Sequence, residues 1–335
     1  MVRNLSTFPK EFNEIVDGIR SMRIRGAGKI AVSAVRALGY LARSSEAKEV
    51  RAFLEELDAA NAALLSTRPT AVSLPNGLRY VMKAVLDGEK HGMDVKAIKS
   101  HTIRSVKEFI EEAGKAVDTI GVIGARRISD GDVLLTHCNS SAAISIIMRA
   151  WEAGKKLKVF VTESRPRYQG RITAKALGKA GIPVTLIVDS AARFYMAKID
   201  KVISGADAIA ANGAVVNKIG TSQLALAAHE SRTRFFVAAE TYKFSPETLF
   251  GELVAIEERN SNEVIPDNVL KRMRNVEVRN PVFDITPPEY IDLIVTERGI
   301  IPPQGALYIM REEFGLDLKE ELARNQNPLK VEEED

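Results

Sequence analysis

"DVLLTHCNSSAAISIIMRAWEAGK" (residues 132–155) joins an apolar, β-rich run to a helical pattern through a short series of small polar residues. The same alternation of a short apolar run with a helical stretch recurs along the rest of the chain. Its further apolar runs include "KLKVFVTES" (156–164), "PVTLIVD" (183–189) and "KVISGADAI" (201–209). Strands that alternate with helices predict right-handed βαβ units around a parallel sheet, with helices on both faces. The predicted fold class is therefore α/β and Rossmann-like.

The first part of the chain has a different pattern. Apolar residues recur there at spacings of three and four, as in "KIAVSAVRALGYLARS" (29–44) and "AKEVRAFLEELDAANAALLS" (47–66). Such spacings are typical of amphipathic helices. We therefore expect an N-terminal helical domain over residues 1–125, a Rossmann-like catalytic domain over 126–322 and a charged tail over 323–335.

The composition limits the classes of function. With 335 residues, of which 45% are hydrophobic, the chain is long enough for two packed domains of a globular protein. A single cysteine cannot form an internal disulfide, and no apolar run approaches the roughly 20 residues that cross a bilayer. A cytoplasmic protein without a membrane partner is expected. The net charge of +3 comes from 47 basic and 44 acidic residues spread through the chain, which gives no footprint for nucleic acid.

Cys138 is the first candidate for chemistry. It follows the first predicted strand and precedes the next helix, where backbone N–H groups and the helix dipole favour an anion. Ser140 and Ser141 add hydroxyl donors at the same point. The same electrostatics are expected to lower the pKa of the Cys138 thiol, which suits a base or a nucleophile. The alternative is that this lone cysteine packs in the core as a small hydrophobic residue.

Asp207 is the second candidate, and it closely follows the apolar "KVI" (201–203). Its carboxylate should lie at the same sheet edge as Cys138, because parallel sheets bind ligands at the carboxyl ends of their strands. A buried carboxyl beside an anionic ligand tends to stay protonated and can then donate a proton to oxygen. Asn217 and Lys218 add an amide and a cation a short loop away. The alternative is that Asp207 only caps a turn.

Three other stretches carry groups that could hold an anion: "RIRGAGKIA" (23–31), "LSTRPT" (65–70) and "ETYKFSP" (240–246). Glycines in the first leave backbone N–H groups accessible at a helix start. The candidates in these stretches are Arg25, Gly26, Ala27, Gly28, Arg68 and Lys243. Glycine-rich connectors and surface salt pairs are the ordinary alternatives. No histidine and cysteine cluster in the sequence suits a metal, so the residues predict proton transfer on a phosphorylated small molecule.

Longer motifs, in the same order over nearly the whole chain, resemble one superfamily. They include "RGAGKIA" (25–31), "THCNSSA" (136–142), "GADAIAANGAVVNKIGTSQLALAA" (205–228), "ETYKF" (240–244) and "IEERNSNEV" (256–264). This superfamily contains methylthioribose-1-phosphate isomerase, archaeal ribose-1,5-bisphosphate isomerase, and the alpha, beta and delta regulatory subunits of the exchange factor for translation initiation. Its isomerases carry a cysteine and an aspartate as the acid–base pair, at the positions of Cys138 and Asp207. The regulatory subunits generally lack that pair, so the resemblance implies an enzyme.

The resemblance also implies a substrate. Methylthioribose-1-phosphate isomerases typically have "RGAPAIG" where this chain has "RGAGKIA", and a serine–threonine–phenylalanine run where it has "ETYKF". A second phosphate on carbon 5 needs cationic donors, so both departures favour ribose 1,5-bisphosphate. The residues that would hold the two phosphates and the sugar are, by resemblance, Arg25, Gly26, Ala27, Gly28, Arg68, Ser140, Ser141, Ala142, Asn217, Lys218 and Lys243.

The activity so implied is isomerisation of ribose 1,5-bisphosphate to ribulose 1,5-bisphosphate in the degradation of AMP and other nucleoside monophosphates. Asp207 would protonate the ring oxygen while Cys138 removes the proton from carbon 2, and no cofactor or metal is required. The resemblance further implies a homohexamer built as a trimer of dimers. Methylthioribose-1-phosphate isomerase and a non-catalytic regulatory subunit of the initiation factor exchange complex remain the alternatives.

Overall fold

A computed structural model describes residues 8–68 and 70–314, and it begins with five helices. These are α1 (Lys10–Arg20), α2 (Ala27–Ser44), α3 (Val50–Leu65), α4 (Ser73–Lys90) and α5 (Val95–Ala125). Their apolar faces meet in one core that includes Phe12, Leu38, Phe53 and Val81. The spacing of three and four read from the sequence is the reason, since it places these side chains on one face of each helix.

The rest of the described chain alternates strands with helices. Its elements are β1 (Val133–Thr136), α6 (Ser141–Glu152), β2 (Lys158–Thr162), α7 (Gln169–Lys179), β3 (Val184–Ile187), α8 (Ala192–Tyr195), β4 (Lys201–Gly205), β5 (Ala208–Ile209), β6 (Val215–Lys218), α9 (Thr221–Ser231), β7 (Arg234–Ala238), α10 (Asp267–Leu270), β8 (Phe283–Thr286), β9 (Leu293–Thr296), β10 (Gly299–Ile301) and α11 (Ala306–Phe314). The predicted α/β fold class is confirmed.

Seven of these strands form the main sheet, in the order β10-β9-β7-β4-β1-β2-β3. All neighbours are parallel except β9 and β10, which form an antiparallel pair at one edge. The chain builds outward from β1 through β2 to β3 and then returns to place β4 on the other side of β1. This reversal is a topological switch point, and ligands of open α/β sheets bind beside it at the carboxyl ends of the strands.

Both faces of the main sheet are buried. Leu134 and Ile203 belong to a core shared with α6, whereas Leu135 and Val202, one residue away on the same strands, belong to a core shared with α9. Successive side chains of a strand point to opposite faces, so a strand covered on both sides must be apolar throughout. This accounts for the continuous apolar runs of the sequence.

A second sheet was not predicted. Strands β5, β6 and β8 form a three-stranded antiparallel sheet beyond the end of β4. Asn217 and Lys218 lie on strand β6 of this sheet, a short loop after β5. The periodicity of the sequence did not indicate this sheet, because β5 is short and follows a longer apolar run.

Helix α5 connects the helical region to the sheet. Ile98 and Phe109 pack in the helical core, while Ile120 and Ala125 near its end pack in the core of the sheet. We keep the division of the chain at residue 125, where α5 ends, as a proposal. The predicted tail, 323–335, and residues 315–322 of the predicted catalytic domain lie outside the described residues.

Helix α4 also fixes the helical region to the segment after β7. The Asn76 amide donates hydrogen bonds to the carbonyl oxygens of Tyr242 (2.9 Å) and Phe244 (2.6 Å). The Ser73 hydroxyl donates to the Ala27 carbonyl (2.8 Å), at the start of α2. Two of the candidate stretches, 23–31 and 240–246, are thus both fixed to α4. Over residues 8–68 and 70–314, no helix is long and apolar enough to cross a membrane.

Candidate active site

The loop that follows β1 holds Cys138 in an unusual backbone conformation. Cys138 has φ of 64°, in the left-handed region that side chains other than glycine rarely adopt. Its N–H donates to the Ser164 hydroxyl (2.8 Å), and its carbonyl oxygen accepts from the Thr173 hydroxyl (2.7 Å). The two hydrogen bonds stabilise this strained residue between β2 and α7. Such outliers cluster at functional sites, and the half-buried thiol is the group that this one positions.

His137, the residue before Cys138, has a structural role. Its Nε2 lies 2.9 Å from the Ile219 carbonyl oxygen and its Nδ1 lies 2.5 Å from the Thr162 hydroxyl. Because a carbonyl oxygen only accepts, Nε2 carries the hydrogen and Nδ1 accepts from Thr162. Burial lowers the pKa of His137, so the ring is neutral and ties the loop after β1 to the loop after β6.

The prediction that the pKa of the Cys138 thiol is lowered is wrong. Burial raises the pKa of the thiol to about 11, against the opposing effect of the Lys218 charge. Helix α6 begins at Ser141 with Ser140 as its N-cap, and the Ser140 hydroxyl accepts from the N–H of Ala143 (3.3 Å). Cys138 thus precedes the N-cap by two residues, and the loss of water around the thiol outweighs the helix dipole.

Asp207 lies where the sequence predicted it, just beyond the end of β4. Its N–H donates to the Val216 carbonyl (2.9 Å), which links it to the second sheet. Burial raises the pKa of the Asp207 carboxyl, although the charges of Lys243, Lys218, Arg68 and Arg259 oppose the shift. The carboxyl is therefore inclined to hold its proton, as expected of a group that acts as an acid.

A close approach brings the end of β4 against the start of α6. A Cβ atom on Gly205 would lie 2.5 Å from the Cβ atom of Ser140, so only glycine fits there. This contact places the loop of Cys138 beside that of Asp207 at the switch point between β1 and β4. Lys218 stands near both groups, since the charges of Cys138 and Asp207 each oppose the lowering of its pKa by burial.

Asn217 and Lys218 differ in what they offer a ligand. The Asn217 amide donates to the hydroxyls of Ser204 (3.0 Å) and Thr221 (3.0 Å), so both hydrogens of its nitrogen are already bound within the protein. The Lys218 ammonium donates to the Val282 carbonyl oxygen (3.1 Å), which leaves two of its three hydrogens for other acceptors.

Lys243 forms a buried ion pair and not a surface one. Its Nζ lies 2.6 Å from Glu240 Oε2, and both side chains are less than a tenth exposed. The Tyr242 hydroxyl donates to the other Glu240 oxygen (3.1 Å), and a Cβ atom on Gly28 would lie 2.8 Å from that hydroxyl. The glycine-rich stretch that starts α2 therefore meets the segment of Lys243.

Arg68 belongs to a group that the sequence did not predict. Its Nη2 donates to Glu257 Oε2, while Arg259 Nε donates to the other oxygen of the same carboxylate at 3.0 Å. Both arginine side chains are about 90% buried, because 11% of Arg68 and 13% of Arg259 is exposed. Glu257 and Arg259 lie in the motif "IEERNSNEV", and membership of this superfamily motif was their only signal in the sequence.

The remaining predicted residues contribute less to the site. Arg25, Gly26 and Ser141 are exposed, and Ala27 is half-buried. The Ala142 methyl group is buried in the core of the sheet, so only its backbone N–H could meet a ligand. Among the described residues, no group of three or more His, Cys, Asp or Glu side chains is placed to hold a metal ion.

The chain is similar in sequence and structure to isomerases and to initiation factor proteins. The profile of the Initiation factor 2 subunit family matches residues 23–303. The chain is 56% identical to the ribose 1,5-bisphosphate isomerase of Thermococcus kodakarensis over 311 residues, which cover 92% of this chain and 97% of that protein. It is 52% identical to the protein of the same name from Pyrococcus furiosus, over 92% of this chain and 96% of that protein.

More distant likenesses fit the same superfamily. The methylthioribose-1-phosphate isomerase of Geotalea uraniireducens is 39% identical over 87% of each chain. Among solved structures, the translation initiation factor eIF-2B of Pyrococcus horikoshii OT3 has a TM-score of 0.74 and 33% identity, over 88% of this chain and 98% of that one. These likenesses confirm the resemblance that the sequence motifs predicted.

Proposed function

The chain belongs to the initiation factor 2 subunit family, and we propose that it is an enzyme of this family that isomerises ribose 1,5-bisphosphate to ribulose 1,5-bisphosphate. The observation that carries the proposal is a thiol and a carboxyl on adjoining loops at the switch point, with the charge of Lys218 acting on both and those of three further cations acting on the carboxyl. The higher identity to ribose 1,5-bisphosphate isomerases (56%) than to a methylthioribose-1-phosphate isomerase (39%) supports it.

The charge of the site supports a substrate with two phosphates. We call Arg68, Lys218, Lys243 and Arg259 the cationic cluster, since the charge of each acts on Asp207. Two carboxylates, Glu240 and Glu257, pair with members of this cluster. The four cations outnumber the two carboxylates that pair with them, which suits phosphate groups that each carry nearly two negative charges. A substrate with an apolar thioether on carbon 5 would need fewer cations.

The reaction we propose is an acid–base isomerisation. Asp207 gives its proton to the ring oxygen as the bond from that oxygen to carbon 1 breaks, and the Cys138 thiolate takes the proton from carbon 2. The electrons of the carbon–hydrogen bond form the double bond between carbons 1 and 2, which gives an enol phosphate. The hydroxyl on carbon 2 then loses its proton, and carbon 1 gains one, which yields the ketone. Protons and electrons balance without a redox partner.

Lys218 is the residue that stabilises the Cys138 thiolate in this mechanism. With a pKa of about 11, the half-buried thiol of Cys138 is almost entirely protonated at neutral pH. The Lys218 charge favours the thiolate, and burial makes that charge act more strongly than it would in water. Its anchor on the Val282 carbonyl keeps the ammonium in place.

We predict that Lys243 reads the phosphate on carbon 5. A single Lys243→Ala change would leave Glu240 buried without its partner, so the informative variant combines Lys243→Met with Glu240→Gln. The dissociation constant for ribose 1,5-bisphosphate should rise roughly 10- to 100-fold, as expected for a lost charge-assisted hydrogen bond. That for ribose 1-phosphate should change little. Isothermal calorimetry measures both constants, and equal losses would show that Lys243 does not read this phosphate.

Turnover by the pure protein tests the proposed function. Phosphorus NMR of the protein with ribose 1,5-bisphosphate should show the substrate signals replaced by those of ribulose 1,5-bisphosphate. A spectrum that stays unchanged, together with binding to the initiation factor, would instead support the regulatory subunit.

We also propose the setting in which the enzyme works. It acts in the cytoplasm on sugar phosphates from AMP and related nucleotides, and it assembles as a homohexamer from three dimers. The family resemblance supports this proposal. Sedimentation equilibrium measures the mass of the assembly, and a monomer of 36.8 kDa at working concentration would contradict the hexamer.

A further inference from the structure

We propose that Arg259 is a phosphate-binding residue of the site, and that Glu257 positions Arg259 together with Arg68 for this task. The inference rests on the proposed function in that the phosphate belongs to the sugar substrate. It goes beyond the overall charge of the cationic cluster by assigning a direct phosphate contact to one of its members, a guanidinium from the segment between β7 and β8.

The backbone around Arg259 is fixed by pairing with the segment before β8. The Val282 N–H donates to the Glu257 carbonyl (2.9 Å), and the Arg259 N–H donates to the Asn280 carbonyl (3.0 Å). Glu258 and Pro281 face each other between these two bonds as an antiparallel bridge. Side chains alternate along such a segment, so Glu257 and Arg259 point one way and Glu258 the other.

The two faces of this segment differ in environment. Glu258 points outward and pairs with Arg279 (Nε to Oε1, 2.6 Å), whose side chain is 70% exposed. Glu257 and Arg259 point inward, where only 13% of the Arg259 side chain is exposed. An inward arginine costs far more to desolvate than an outward one, so its burial calls for acceptors.

Glu257 accepts from only some of the N–H donors of the two arginines that it binds. One carboxylate oxygen accepts from Arg259 Nε and the other accepts from Arg68 Nη2. A guanidinium has five N–H donors in a planar fork. Over residues 8–68 and 70–314, no acceptor pairs with the Nη groups of Arg259. A phosphate placed against this fork would supply the missing oxygens.

The same contacts place Arg259 beside the reactive groups. Val282, whose N–H binds Glu257, accepts at its carbonyl oxygen from the Lys218 ammonium (3.1 Å). The charge of Arg259 correspondingly acts to lower the pKa of both Lys218 and Asp207. A sugar bound at Cys138 and Asp207 therefore has its phosphate within reach of Arg259.

We predict that Arg259→Gln raises the KM for ribose 1,5-bisphosphate roughly 10- to 100-fold, the loss typical of a charge-assisted hydrogen bond, while kcat changes only a few-fold. Arg259→Lys should recover part of the loss, because it restores the charge without the fork. Glu257 keeps Arg68 as its partner, so the melting temperature should hardly change. Arg279→Gln is the matched control, since it removes an arginine–glutamate pair from the outward face of the same segment.

The binding of inorganic phosphate, measured by calorimetry on the same full-length proteins, separates this inference from the proposed function. Wild type and Arg279→Gln should bind phosphate equally well, and Arg259→Gln more weakly, whether or not the sugar is turned over. If wild type turns over the sugar and Arg259→Gln keeps its KM within twofold, the inference is overturned. Phosphate binding that is the same in wild type and Arg259→Gln overturns it as well. Absence of turnover in wild type contradicts the proposed function alone.

Discussion

Cys138→Ser should lose roughly 100- to 10,000-fold in turnover of ribose 1,5-bisphosphate, the range attributed to a positioned general base. The serine hydroxyl has nearly the volume of the thiol, but its pKa is too high for ionisation near neutrality. Even with the Cys138 pKa raised to about 11, the thiol ionises far more readily than that hydroxyl. The loss should therefore appear in kcat, since the cationic cluster that binds the substrate is untouched.

The same variant decides between the two interpretations of this lone cysteine. The backbone hydrogen bonds to Ser164 and Thr173, which hold residue 138, do not depend on its side chain. As a base, Cys138 can become serine with little change in the melting temperature. If Cys138 is only a core residue, Cys138→Ser should lose stability because its hydroxyl is buried, and turnover per folded molecule should stay unchanged. The melting temperature and turnover of one preparation measure both effects.

Asp207→Asn is the second change with a large expected effect. An amide has the shape of a protonated carboxyl but cannot supply the proton that the ring oxygen needs, so turnover should again fall roughly 100- to 10,000-fold. Binding of ribose 1,5-bisphosphate should persist, because the cationic cluster keeps its members. Calorimetry measures this binding, and an Asp207→Asn enzyme with near-normal turnover would exclude Asp207 as the acid.

Stability provides a second readout for Asp207. Burial raises the pKa of its carboxyl in the folded protein above the ordinary 3.8. A raised carboxyl pKa stabilises the fold most below that ordinary value, and this stabilisation is lost as the pH rises through the folded pKa. Relative to Asp207→Asn, the wild-type melting temperature should therefore fall as the pH rises from about 4. A constant difference between the two proteins would contradict the raised pKa.

The sequence predicts the strands β1 to β4 of the main sheet because their signal is local. Apolar runs such as 133–136 and 201–205 must be buried on both faces, and this alone places Cys138 and Asp207 at strand ends. The topological switch between β1 and β4 then brings the two ends together. Neither step requires knowledge of long-range side-chain contacts.

The unpredicted parts of the site depend on such contacts. The second sheet pairs β6 with β8, which lies more than sixty residues further along the chain, so the position of Lys218 could not be read locally. The shared carboxylate joins Glu257 to Arg68 across 189 residues, and only the fold shows that Arg259 is turned inward. The Cys138 pKa was predicted in the wrong direction because the sequence reveals the helix start but not the burial of the thiol.

The most direct test of the account is a competition between two sugars for one site. Ribose 1,5-bisphosphate and methylthioribose 1-phosphate, mixed in equal amounts with the wild-type protein, can be followed in one tube by phosphorus NMR. The ratio of the two rates gives the ratio of the kcat/KM values. Since the cationic cluster offers charge for a second phosphate, the bisphosphate should be consumed at least roughly 100-fold more efficiently. Equal consumption of the two sugars, faster consumption of the thioether, or no consumption of either would contradict the account.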